Sequence, residues 1–332
     1  MSSLQRIASL SLDLDNQWSY LKIHGDPGWK TFPSYLDLLV PRVLDFVSKR
    51  NLQITFFIVG QDAAIEKNCA SLELISAAGH DIGNHSFSHE PWFHLYDRAR
   101  VESEITLAEE YIARVTGKRP VGFRGPGFSF SETTRKVLEN RGYLYDASTF
   151  PTFFGPLARL YYLSHSNVKG NDRKDRDLLF GSIREGLRPL APYRWPGGKG
   201  LLEIPVTTMP LLRAPIHLSY LLYLSGFSGP LALAYFRCAL RLCRVFGLSP
   251  SLLLHPLDFL GAEDHIGLEF FPAMHLPCGH KRRFLSEALN VFCDQFQVLS
   301  VEDHARAIIG QSCKTPIETC GSSCPRLKSG LQ

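Results

Sequence analysis

The sequence predicts an α/β protein, a parallel sheet or barrel with helices packed against it. Three observations carry this reading. Short apolar runs alternate with helix-length segments along most of the chain, the pattern of repeated strand–helix units. At 332 residues, 45% hydrophobic and 20% charged, the chain can bury a large interior, which excludes wholesale disorder, a collagen-like repeat and a disulfide miniprotein. Residues able to do chemistry stand at the ends of the apolar runs, where α/β sheets and barrels place their active sites. The length suits two ordinary domains, and single α/β barrels reach it as well.

Residues 7–13 read as the first strand, followed by strands over 53–59, 81–84, 121–124, 144–146, 202–206, 251–255 and 297–301. Helices are expected over 35–50, 63–78, 99–116, 132–140 and 281–296. Thr116, Gly117 and Lys118 form a helix stop, and Ser131 to Thr134 a helix start. Two stretches break the rhythm. Residues 150–200 are long, rich in Pro, Gly and Arg, and contain the charge-dense run 169–177, so they read as an excursion over the surface. Residues 209–248 are the least polar part of the chain. Their uncharged run is long enough to suggest a membrane span, but Pro215, Gly226, Gly229 and Pro230 cut it, and short helices are expected instead over 216–246. Residues 311–332, with Cys313, Cys320 and Cys324, read as a frayed tail after a domain over 1–310.

Charge names no partner: 36 basic residues against 32 acidic ones leave +4, which gives no reason to expect nucleic acid. The stretch before residue 10 holds one arginine and runs straight into the first strand, so it does not read as a signal peptide. The eight cysteines form no CxxC pair, which fits a reducing compartment. A cytoplasmic location is expected.

Four features offer chemistry. Asp13-Leu14-Asp15 closes the first strand, and residues two apart on a strand point the same way. His85-Ser86-Phe87-Ser88-His89 follows another strand; an HxxxH pair can present two imidazoles on one side of a helical turn, and with a carboxylate they make a three-ligand metal site with an open position. Arg124-Gly125-Pro126-Gly127 stands at a third strand end. His255-Pro256 follows the apolar run 252–254, and a buried strand ending in histidine needs a partner for it, for which Asp146 is the candidate. Taken singly, each is as readily a polar strand end or a satisfied core histidine.

Their order, Asp-x-Asp, HxxxH, Arg-x-Pro, Asp, Leu-x-x-His, resembles that of the NodB-homology polysaccharide deacetylases, carbohydrate esterase family 4. The resemblance runs from about Ile7 to His304. It implies a distorted (β/α) barrel and one divalent metal, Zn²⁺ or another, bound by Asp15, His85 and His89. It further implies Asp13 as general base, Arg124 paired with Asp13, His255 as the acid that protonates the leaving amine, Asp146 supporting its imidazolium, and the Gly127 N–H beside the oxyanion. The substrate implied is an N-acylated amino sugar in a glycan. The first motif has one residue between its acids, the variant form of the pattern. The third lacks an aromatic directly after proline, with Phe128 one place later, and the fourth has Ala147 where an aromatic is frequent.

The apolar block allows two readings. Arg237, Arg241 and Arg244 fall at i, i+4 and i+7 of a helix over 231–246, with Leu233, Tyr235, Phe236, Leu240 and Leu242 largely elsewhere. That is either a core helix with an arginine solvent face or a helix lying in a membrane interface. The second would make the substrate a lipid-linked sugar and the protein peripheral to the inner face of the membrane. Two other functions compete with the deacylase: a cyclic-amide hydrolase of small nitrogenous metabolites on the same barrel, and a carbohydrate-binding barrel without catalysis.

Overall fold

The computed structural model describes residues 6–155 and 183–312. The chain runs β1 (Ile7–Leu14), α1 (Gln17–His24), α2 (Leu36–Ser48), β2 (Thr55–Ile58), α3 (Gly60–Ala63), α4 (Glu66–Ala77), β3 (Asp81–Asn84), α5 (Arg98–Thr116), β4 (Gly122–Phe123), α6 (Glu132–Asn140) and β5 (Tyr145–Asp146). It continues through β6 (Tyr193–Arg194), β7 (Leu202–Glu203), α7 (Leu218–Val245), β8 (Ser251–Leu254), α8 (Cys278–Cys293), β9 (Gln297–Leu299) and α9 (Val301–Ser312).

The strands form one sheet in the order β6-β7-β5-β4-β3-β2-β1-β8, with β9 also on β1. Every pair is parallel except β6–β7. The sheet curls on itself: just past β7, Thr207 N donates to Ser251 O on β8 at 2.9 Å, joining the two ends. The predicted distorted barrel is therefore present. Parallel strands bury both faces, and β1 shows how. Ala8, Leu10, Leu12 and Leu14 belong to the main apolar core, while Ser9, Ser11 and Asp13 point the other way and are buried too. That second row is satisfied across the barrel by His304 Nδ1 on Ser9 Oγ (2.9 Å) and Arg124 Nη1 on Ser11 Oγ (2.9 Å). On the outside, Leu39, Val40 and Val43 of α2 and Leu285, Leu289 and Phe292 of α8 close the core.

All eight expected strands form, with frayed ends. Helix signals read correctly as well: Asp97 caps α5 by accepting from Arg100 N, Gly117 closes it at φ 69°, and Ser131 caps α6 by accepting from Thr134 N. Four elements carry little periodic signal and are not expected from the sequence: α1, the four-residue α3, the two-residue β6, and α9, whose first residue, Val301, falls in the run 297–301 expected as a strand. Helix α8 begins at Cys278, three residues before its expected start. The tail beyond residue 312 and the charged run 169–177 lie outside the described residues.

The apolar block forms α7. Pro230 lacks an N–H and its ring opposes the preceding turn, and the helix breaks at Ser228 (φ −161°, ψ 107°) into two helical pieces. Its inner face, including Leu221, Leu222, Leu233, Phe236 and Leu240, joins the core. Among the described residues no helix is long and apolar enough to cross a membrane.

Candidate active site

Asp13 and Asp15 stand at the end of β1, where strand alternation sends both into the barrel mouth. Asp15 Oδ1 lies 3.3 Å from His85 Nε2 and 2.9 Å from His89 Nε2, and all three potential donor atoms fall within 4.8 Å of one another. Asp15 Oδ1 and both ring nitrogens of His89 are buried without a hydrogen bond among the described residues. Asp15 Oδ1 and His89 Nε2 lie 2.9 Å apart without the geometry of a hydrogen bond, so the ligand-type atoms crowd about one point. His85 Nδ1–H donates to Arg124 O at 2.6 Å, which leaves the Nε2 lone pair facing the same point. A carboxylate and two imidazoles with this orientation fit one divalent metal. Burial opposes ionisation of Asp15, but in the absence of an ion protonated His89 and His85 outweigh it and hold the carboxyl far below its usual range.

Residues 85–89 are not the helical turn that the HxxxH spacing suggests; they form a bent loop. Ser86 (φ 60°) and His89 (φ 52°) adopt left-handed backbone, a strained choice for side-chain-bearing residues. Hydrogen bonds from several elements hold the loop. Asn84 Oδ1 accepts from Ser86 N (2.9 Å), and Glu104 Oε2 accepts from both Phe87 N (3.0 Å) and Ser88 N (2.8 Å). Gly60 N donates to Ser86 O (2.9 Å). Glu104 belongs to none of the sequence motifs, although an acid between Val101, Ile105 and Ala108 on the apolar stripe of α5 signals a buried carboxylate with a task.

Asp13 Oδ1 accepts from Arg124 Nη1 at 2.6 Å. The guanidinium is fully buried, donates from Nε to Ala147 O (2.9 Å), and stacks over Phe57 with its centre 4.2 Å from the ring. Such a pair fixes one orientation of Asp13 beside the three-donor cluster. Gly127 sits in the short turn after Arg124 at φ 57°. Phe128 next to it stacks on Phe150 (centroids 4.9 Å), which meets His217 (5.7 Å), which meets His255 (6.0 Å). This aromatic file supplies the wall that the third motif, read as sequence, lacks. Burial and the neighbouring His255 push His217 down to about 3, so it is neutral.

His255 directly follows β8, the neighbour of β1. Its ring does not take Asp146 as hydrogen-bond partner. Its Nδ1 lies 2.8 Å from Ser219 Oγ on α7, and Ser219 Oγ donates to Asp258 Oδ2 at 2.9 Å. Asp146 is engaged elsewhere: Ser148 Oγ donates to it at 2.6 Å, and it neighbours the buried Glu203 on the paired strand β7. Burial raises both carboxyls, and the mutual repulsion raises Glu203 further. The tertiary reason is strand order, which seats Asp146 on β5 against β7 and leaves His255 to the helix packed on β8.

Residues 26–145 match the family model of polysaccharide deacetylase. A peptidoglycan deacetylase of Helicobacter pylori is 34% identical over 118 residues, which cover 35% of this chain and 39% of that protein. A chitin deacetylase of Pestalotiopsis sp is 32% identical over 102 residues, 30% of this chain and 34% of that one. A peptidoglycan-N-acetylmuramic acid deacetylase of Bacillus subtilis is 32% identical over 104 residues, 31% and 38% of the two chains. The chain thus spans less than half the length of these curated relatives. A solved structure from Mycobacterium smegmatis, assigned as a polysaccharide deacetylase, shares the fold at TM-score 0.60 and 20% identity, covering 100% of this chain and 97% of that one. Asp13, Asp15, Asp146 and His255 lie outside the matched segment, and strand pairing sets Asp13, Asp15 and His255 on the adjacent strands β1 and β8. Residues 26–145 are thus similar to the polysaccharide deacetylase family, the one that the order of the strand-end motifs resembles.

Proposed function

We propose that the protein is a metal-dependent hydrolase that removes an acetyl or formyl group from the nitrogen of an amino sugar in a glycan. One observation carries this reading: the convergent donors of Asp15, His85 and His89 stand beside an arginine-paired Asp13, with His255 on the adjoining strand. That is a base and an acid flanking an electrophilic centre, the layout that amide hydrolysis needs. The relatives named for chitin and peptidoglycan deacetylation support the acylated amino sugar as substrate class.

Asp15, His85 and His89 would hold the ion, for which zinc is proposed. When bound, it supplies a Lewis acid for the acyl oxygen and for the attacking water. Asp13, kept in place by Arg124, accepts the proton of that water. His255 delivers a proton to the leaving amine nitrogen as the amide bond breaks. The N–H of Gly127 is the proposed donor to the negative oxygen.

The acceptor proposed is a lipid-linked sugar. Support comes from α7, whose first turn touches His255 through Ser219 while its outer face exposes Tyr223, Phe227 (77%) and Leu231 (72%). Leu211 and Leu212, in the stretch leading to the helix, are exposed as well. Arg237, Arg241 and Arg244 extend the exposed face as a basic stripe. An apolar patch followed by cations matches an acyl layer and its anionic headgroups. A location peripheral to the inner face of the membrane completes the proposal; the unbridged thiols of Cys69, Cys238, Cys243 and Cys278 support a reducing compartment.

The test is turnover of an N-acetylglucosamine oligomer and its N-formyl counterpart by protein stripped of metal and reloaded with zinc. Release of acetate or formate only after reloading is the expected result. No release from either substrate overturns the reading. Sedimentation with phosphatidylglycerol vesicles, weakening as salt rises, checks the lipid part.

A further inference from the structure

The ring of His255 takes its hydrogen-bond partner from the apolar helix and not from the acid that the motif order suggests. We propose that Ser219 and Asp258 are the positioning residues of His255, acting through its Nδ1 side; this rests on the reading of His255 as proton donor to the leaving amine.

The hydrogen-bond polarity follows from the donors present. Asp258 is buried, and its Oδ2 accepts from two groups, the His255 backbone N–H at 2.8 Å and the Ser219 hydroxyl at 2.9 Å. A serine has one proton. Having given it to Asp258, Ser219 Oγ can only accept from His255 Nδ1, 2.8 Å away. His255 therefore keeps its Nδ1 proton, and Nε2 is the nitrogen that carries and releases the catalytic one. In the step itself the Nε2–H bond of the imidazolium breaks, the proton joins the amine nitrogen as its bond to the acyl carbon breaks, and the Nδ1–H···Oγ–H···Oδ2 chain stays intact.

Asp258 is built to be immobile. It ends the short turn Pro256–Asp258, where its carboxylate returns to the backbone of His255 three residues earlier, and the turn is pinned by the buried Lys281, whose Nζ donates to Leu257 O (2.8 Å) and Leu260 O (2.7 Å). One oxygen of one carboxylate thereby fixes both the backbone and, through Ser219, the ring of His255. Ser219 sits in the first turn of α7, two residues after the capping His217. The acid half of the site thus depends on the helix that bears the exposed apolar face.

The experiment compares Ser219→Ala, Ser219→Thr and Asp258→Asn with the unaltered protein, all zinc-loaded, on an N-acetylglucosamine oligomer. Loss of an orienting partner of this kind costs about 10–100-fold. The expected result is that fall in kcat for Ser219→Ala and Asp258→Asn, with KM moving by less than about twofold, and recovery of most of it by Ser219→Thr, which keeps the hydroxyl. Imidazole ¹⁵N spectra provide a second readout: neutral His255 is in the Nδ1–H form in the unaltered protein and loses that preference in Ser219→Ala. Unchanged kcat in both the alanine and asparagine variants, a threonine variant as impaired as the alanine one, or an unchanged His255 tautomer overturns the proposal. If the unaltered zinc-loaded protein releases no acyl group, the functional reading fails, and the ¹⁵N tautomer alone then upholds or overturns the relay.

Discussion

The two sides of the candidate site are held by different means. On the β1–β4 side, Asp13, Asp15, His85 and Arg124 stand on strand ends or one residue beyond, and strand register sets their positions. Arg124 is wholly buried, its charge answered by Asp13. On the β8 side, His255 follows a strand too, but its ring is oriented by Ser219 from α7, a kinked helix with an exposed apolar outer face. The difference teaches that a rigid sheet can place a cluster of candidate ligands, while the ring proposed as proton donor is oriented by an element that also faces the outside.

The largest expected effects break the first side. His85→Ala and His89→Ala each remove one of three donors; we expect loss of tightly held metal and a fall in kcat/KM of about 10³-fold or more, since a Lewis acid contributes several kcal/mol to the transition state. Metal content by atomic emission beside turnover checks this, and retained stoichiometric zinc in both variants would move the metal centre elsewhere. Asp13→Asn comes next. It keeps the metal and lowers kcat by about 10²-fold or more, as for loss of a general base; loss of the metal instead would show that Asp13 and Asp15 exchange roles.

Two smaller effects sharpen the comparison. Glu104→Gln removes the charged acceptor of Phe87 N and Ser88 N, and metal affinity should drop by about 10–100-fold with the overall fold kept, as measured by competition with a chromophoric chelator. An unaltered affinity would mean that strand β3 alone shapes the His85–His89 loop. The smallest effect belongs to the outer face of α7: Phe227→Ser with Leu231→Ser should leave turnover of a short soluble oligomer within about twofold, because exposed positions contribute little to stability. Vesicle sedimentation should fall, and equal sedimentation would argue that this face serves another purpose.

Much of the site was legible because β structure has a period of two and strand ends gather at one rim. Asp13 with Asp15, the HxxxH pair, Arg124 and His255 could each be assigned to a strand terminus from sequence alone, and the eight strands followed from their apolar runs. The mouth of the barrel was harder to read. Nothing local says that His85 and His89 converge through left-handed residues rather than a helical turn, since Glu104 acts from 15 or more residues away.

The composition and the alternation of short runs determined an α/β barrel with acids and histidines on one rim, because apolar burial forces alternate residues to opposite faces wherever the chain is extended. Tertiary structure alone decided who partners whom. Asp146 faces Glu203 because β5 pairs with β7, and His255 turns to Ser219 because α7 packs beside β8. A hydrogen bond needs its partner within about 3 Å whatever their separation in the chain, and the separation of 36 positions between Ser219 and His255 carries no signal of that closeness.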